Sequence, residues 1–354
     1  MRAWLVKSCV VHRLAVATAF LGLASSTASA LTIVSHYRGN GSALEGIGVA
    51  GVPSTNTVGG GDPATIFRAA AGVWERAILD NFTLTLNFGW YPTEPISLTA
   101  YQQSTAQGGS PLRQTRGSIA FNNSNGRRWF LDPTPLEDSE FGPLTTSRTD
   151  LGAGLINIKR DHLPVAASAI GSYDLFSVAL HEIGHALGLN GYDFYENEIA
   201  DGDVDVTISR YAGTKIPISG PHIDLTGPSL SSRGRPIGYR REVSDVDILA
   251  VSQVSRFGQY VLSQPSDYDG NRVVDGADLA VWQTAFGSNY LGDTDGDSDS
   301  DGVDFLNWQR QFSPGTPQTT ASVPEPNGLW LAGAVWLIPL RRLTNAGTRN
   351  DREL

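Results

Sequence analysis

An α+β body followed by a small all-α module is expected of this 354-residue chain, for three reasons. Stretches of period two such as "FTLTLNFGWY" stand beside stretches of period 3.6 such as "ATIFRAAAGVWERAILD", in the order strand, helix, strands, helix, irregular segment, helix. Length and a 40% hydrophobic content allow one sizeable core with smaller modules attached. Near the C-terminal end, two acidic loops repeat, each leading into a short helix with its own tryptophan and phenylalanine.

The first thirty residues read as an export signal. Arg2 and Lys7 supply positive charge, an apolar stretch runs from Leu14 to Leu23, and "ASA" ends at Ala30. Cys9 is the only cysteine and lies in that segment, so the remaining chain is expected to be held without disulfides. "LTIVSHY" is a candidate strand. In the helix that follows, Asp62 is placed to cap and Pro63 suits the first turn, while Ile66, Phe67, Ala70, Val73, Trp74 and Ile78 share a face. "FTLTLNFGWY", "GSIAF" and "GLINIKR" are further strands. A second helix is expected over Ser172 to Leu187, with Ser172 as cap, Asp174 in the first turn and Gly188 as terminator. A third, "SDVDILAVSQVSRFG", carries a capping box at Ser244 and Asp247 and a stop at Gly258.

Net charge is −10, which argues against a nucleic-acid partner. Ten aspartates lie between Asp267 and Asp304 and match that figure, so the acidity is local, as a cation-binding module requires.

The second helix contains "HEIGH". His181 and His185 stand four residues apart and project from one face, where they can share a zinc ion, and Glu182 can act on a metal-bound water as general base. Burying two histidines and a glutamate in an otherwise apolar helix would be costly without such a use. The nearest side chain able to complete the site is Asp193, where "NGYD" can form a turn; Glu196, Glu198 and His222 are the alternatives.

The stretch "DLFSVALHEIGHALGL" resembles the active-site helix of matrixin-type metzincin metallopeptidases, and the resemblance extends loosely over residues 31–261. It implies a metzincin-like mixed sheet, hydrolysis of protein or peptide substrates, and a peptide laid antiparallel along "GLINIKR". In that family the third ligand comes three residues after the glycine matched by Gly188; here Gly191 occupies that place. The family's methionine turn has no counterpart, since Met1 is the only methionine, and Leu230 in "GPSLSSRG" could form the apolar floor. An alternative is a surface or assembly protein whose catalytic site has decayed; intact Glu182 speaks against it.

The repeats "DYDGNRVVDGADLAVWQTAF" and "DTDGDSDSDGVDFLNWQRQF" place oxygen ligands at positions 1, 3, 5, 9 and 12, with the position 7 carbonyl between. These are Asp267, Asp269, Asn271, Val273, Asp275 and Asp278, then Asp293, Asp295, Asp297, Asp299, Asp301 and Asp304. Each set can enclose one calcium ion, two in all. Residues 262–313 resemble a type I dockerin domain, which implies a cohesin-like partner. After a linker at 314–323, residues 324–354 resemble a PEP-CTERM sorting tail: "VPEP", an apolar run from Gly328 to Leu340, then Arg341 and Arg342. That resemblance implies exosortase-type processing of an exported chain with transient membrane association.

Overall fold

The computed structural model describes residues 30–312, except 93–97, 125, 191–192, 199, 209–210, 227–228, 234–236, 264–265, 269–272, 290 and 295–298. The signal and the sorting tail expected from sequence lie outside the described residues.

The described part is mixed α and β. Strand β1 (Thr32–Arg38), a small hairpin of β2 (Ala43–Leu44) and β3 (Gly48–Val49), and β4 (Thr57–Val58) precede helix α1 (Pro63–Ala77). Next come β5 (Thr83–Tyr91), β6 (Ala100–Gly108), β7 (Arg113–Asn122), β8 (Trp129–Phe130), β9 (Phe141–Asp150), β10 (Leu155–Pro164) and β11 (Tyr173–Asp174). They lead into α2 (Leu175–Leu187). A short helix α3 (Asp193–Glu198) and strands β12 (Asp203–Asp205), β13 (Lys215–Ser219), β14 (His222–Ile223) and β15 (Arg240–Arg241) connect to α4 (Asp245–Ser255). Helices α5 (Gly276–Ala285) and α6 (Gly302–Gln311) follow. Among the described residues no helix is long and apolar enough to cross a membrane.

The main sheet has the order β1-β5-β7-β6, with β1, β5 and β7 parallel and β6 antiparallel at one edge. Helix α1 starts as its sequence suggests: Asp62 accepts from the Thr65 amide, and Ile66, Phe67, Ala70 and Trp74 are buried. Phe67 stacks on Phe88 of β5 with ring centres 3.9 Å apart, and Trp90, Phe121 and Trp129 extend the aromatic core. The indole of Trp74 donates to the Leu180 carbonyl at 2.9 Å, locking α1 against α2. A Cβ at Gly184 would come 3.2 Å from that same indole, so the small residue between the two histidines is what permits the close packing.

Two expectations are corrected. The cap of α2 is Asp174, which accepts from the Ser177 amide and hydroxyl, because Tyr173 and Asp174 are held extended beside β8; Ser172 bonds back to Ser168 instead. Helix α4 has its capping box at Ser244 and Asp247 but ends at Arg256, in the left-handed conformation at φ 52°, before Gly258 is reached. Arg113 makes that end favourable by donating to the Ser255 and Arg256 carbonyls at 2.6 and 2.7 Å. The "GLINIKR" segment forms most of β10 in a separate three-stranded sheet, where it pairs with β9 on one side, and β15 pairs with β10 only at Asp161 and His162.

A buried charge network joins that sheet to the start of α2. Arg240 is fully buried and binds Asp132, Asp138 and Asp174, while Arg241 pairs with Asp161. Burial opposes the charge on Arg240, but Asp174 and Asp132 outweigh it and hold the guanidinium protonated. Removing one partner from such a group leaves a buried charge uncompensated, at a cost of about 3–5 kcal/mol.

Candidate metal centre

Helix α2 is buried along its whole length, and His181, Glu182 and His185 are each less than a tenth exposed. Four-residue spacing brings the two imidazoles to a ring separation of 4.4 Å. His222 completes the group: its ring lies 5.4 Å from His181 and 5.0 Å from His185. One ligand nitrogen from each of the three falls within 4.8 Å of the others.

Backbone carbonyls aim the rings. His181 donates from Nδ1 to the Leu230 carbonyl at 2.6 Å, and His185 from Nδ1 to the Leu189 carbonyl at 2.6 Å. In each neutral ring this contact leaves Nε2 as the electron-pair donor, the tautomer that a metal requires. The second contact depends on Gly188, where the chain doubles back at φ +157° to return Leu189 to the helix end. A Cβ there would lie 2.2 Å from Ser255 Oγ, so any side chain at this position would force Ser255 aside and strain the turn.

The first contact rests on Asp247. This fully buried carboxylate accepts from the Ser231 amide at 2.9 Å and the Leu230 amide at 3.3 Å while also closing the capping box of α4. Leu230 is buried in the core, and its carbonyl, rather than any sulfur, is what meets the histidine. The chain of support runs from α4 through two backbone amides to His181.

Where sequence reading favoured Asp193, the structure gathers His222. Asp193 opens α3, and its side chain lies outside the described residues; Glu196 is exposed, and burial raises the Glu198 carboxyl above its ordinary range. Helix α3 serves His222 in another way. Tyr195 is buried and its hydroxyl donates to the Gly220 carbonyl. Gly220 and Pro221 form the two-residue turn between paired Ser219 and His222, with Gly220 at φ +56°. The apolar run expected of a strand is too short here to flag β14 in the sequence.

A cleft of about 430 Å³ opens beside the three histidines, lined by Ala100 and Gln102 of β6, Glu182, His185, Asn190 and His222. Asn190, just past the Gly188 turn, donates to Gln102, which itself bonds to Gln114, so the cleft's floor and its wall are tied together. The strand flanking the cleft is thus β6, the antiparallel edge of the main sheet. Its sequence, "AYQQSTAQG", is too polar to have announced a strand.

The C-terminal loops show a second geometry. Asp278 and Asp304 are fully buried and accept in matching ways, Asp278 from the Tyr268 and Asp275 amides and Asp304 from the Thr294 and Asp301 amides. Trp282 donates its indole to the Asp301 carbonyl and Trp308 to the Asp275 carbonyl, each at 3.0 Å. Of the calcium ligands expected from sequence, Asp299, Asp301 and Asp304 are brought together. Asp267 is buried, Asp275 caps α5, and Val273 and Asp293 are in the described loops, whereas Asp269, Asn271, Asp295 and Asp297 lie outside the described residues.

Comparison with protein-family models, with curated proteins and with solved structures gives no match.

Proposed function

We propose that this chain is a zinc-dependent endopeptidase whose metal is held by His181, His185 and His222, with Glu182 as general base. The observation that carries the reading is the convergence of a third imidazole, distant in sequence, on the two histidines of the "HEIGH" helix at the mouth of a cleft. Three neutral imidazoles suit zinc, and three protein ligands leave a place for water. A bound zinc would supply Lewis acidity toward water and a scissile carbonyl.

The residues of the chain have distinct tasks in this reading. Glu182 neighbours the ligands in the helix and lines the cleft, so its carboxylate takes the proton from the attacking water and passes it to the leaving amine. The outer backbone of β6 offers an extended peptide a strand to pair with, positioning a carbonyl by hydrogen bonds that do not depend on side chains. The mixed sheet with an antiparallel strand beside the cleft supports the resemblance to metzincins, though through β6 rather than "GLINIKR".

We assign calcium to the paired C-terminal loops on the strength of the gathered carboxylates and the duplicated hydrogen bonds around them. The test of the catalytic proposal is zinc content after dialysis. His222→Ala should lose zinc at free concentrations where the parent and Asp193→Ala keep it. Retention by His222→Ala together with loss by Asp193→Ala would return the third ligand to the loop after α2.

A further inference from the structure

A second group of metal-binding side chains converges away from the cleft, where β9, β10 and β15 meet. We propose that Asp138, His162 and Glu242 form a further binding site for a divalent cation of zinc's class. The three come from separate places: the turn before β9, the strand β10, and the residue following β15. One nitrogen and two carboxylate oxygens lie within 4.8 Å of one another. His162 Nε2 is 3.3 Å from Glu242 Oε1 and 3.8 Å from Asp138 Oδ2. Tetrahedral ligands at zinc distances stand about 3.5 Å apart, so side-chain shifts of under about an ångström would close the site.

Each ligand has its second atom anchored. His162 Nδ1 donates to the Gly142 carbonyl at 2.8 Å, as His181 and His185 donate to the carbonyls of Leu230 and Leu189. Glu242 engages Arg160 through Oε2 at 2.7 Å and turns Oε1 toward His162. Asp138 engages Arg240 through Oδ1 at 3.1 Å and turns Oδ2 the same way. Contacts of this kind fix ligand orientation before a metal arrives. The Asp138 side chain is 38% exposed, which gives an ion a path inward.

Without a metal, the same geometry suits an imidazolium between two carboxylates. A proton and a metal ion compete for Nε2, so the two states exclude each other. The neighbouring guanidinium groups repel a cation, which makes this site weaker than the three-histidine centre. Because Arg240 also holds Asp174, the cap of α2, a cation bound here would brace the start of the helix that carries His181.

The experiment uses the full chain, stripped with chelator, held in excess calcium and titrated with Zn2+ alone. Bound zinc is counted by elemental analysis and calorimetry. Two classes of zinc are expected, the weaker lost in both Asp138→Asn and His162→Gln, and the tighter lost in His222→Ala. Thermal unfolding in chelator checks that the partly exposed Asp138→Asn variant is folded. A zinc equivalent that survives in His222→Ala and weakens at least about tenfold in Asp138→Asn supports the site whatever becomes of the peptidase reading. A single equivalent abolished by His222→Ala, or a count unchanged by both Asp138→Asn and His162→Gln, overturns it.

Discussion

The histidine centre and the paired C-terminal loops gather their side chains in opposite ways. The centre draws His181 and His185 from one helix but depends on His222, which arrives on a hairpin positioned by Tyr195. The loops draw their carboxylates from short consecutive segments, each closed by its own aspartate at the start of a helix. A site built across the fold should fail when distant supports fail; a site built within a loop should fail only with that loop.

The largest effect expected from that contrast is chemical. Glu182→Gln should reduce peptide hydrolysis by about 10²–10⁴-fold with zinc retained, measured as kcat beside metal content. Unchanged turnover would break the catalytic half of the comparison. Asp304→Ala comes next. It leaves the Thr294 and Asp301 amides without their acceptor, at about 1–3 kcal/mol for each buried donor. Circular dichroism should show the module's helices melting, while the zinc content of the histidine centre stays at the parent level.

Support at a distance is tested by Asp247→Asn, which keeps the shape but replaces one accepting oxygen by a donor. Zinc affinity should fall about 10–100-fold, because the Leu230 carbonyl that aims His181 is no longer held in place. An affinity equal to the parent's would mean that the 229–232 turn holds itself. Gly188→Ala should destabilise the body by about 1–3 kcal/mol, read from denaturant unfolding, through the clash with Ser255.

Smallest is a pH effect on the charge network. Burial disfavours a charged His162, but its hydrogen bonds to Glu242 and Gly142 prevail and raise its pKa. A raised histidine contributes stability that is complete below its unfolded value of about 6.5 and is lost as pH rises through the folded value. In chelator, the stability difference between the parent and His162→Gln should therefore shrink on going from mildly acidic to alkaline pH. A difference that grows over that range would show that His162 is held neutral.

Legibility from sequence followed the range of the interactions. Helix α1, the two histidines of α2, and the duplicated loops depend on neighbours a few residues away, and their spacing displays them. His222 carries no local mark: it sits in a two-residue strand after a Gly-Pro turn, and only the hairpin with β13 and the Tyr195 contact explain its place. Strand β6 was hidden by its polar residues, of which Gln102 is used in bonding to Gln114 and Asn190 rather than in apolar packing. Asp174 displaced Ser172 as cap because Arg240, far along the chain, fixes its carboxylate.

The crossed tryptophans have a consequence for how the C-terminal module can be taken apart. Trp282 of the first repeat rests on a carbonyl of the second, Trp308 of the second rests on a carbonyl of the first, and Phe305 packs 4.9 Å from the Trp282 ring. None of these contacts follows the chain from one half to the other, so the covalent link through residues 287–292 is not what holds the halves together. A single protease cut there should leave two fragments that co-elute under native conditions and separate only in denaturant. Each fragment alone lacks the partner for its indole, so the halves should reassemble on mixing as complementary pieces, and a like-with-like pairing of two first halves would have to place Trp282 over the Asp275 carbonyl of its twin.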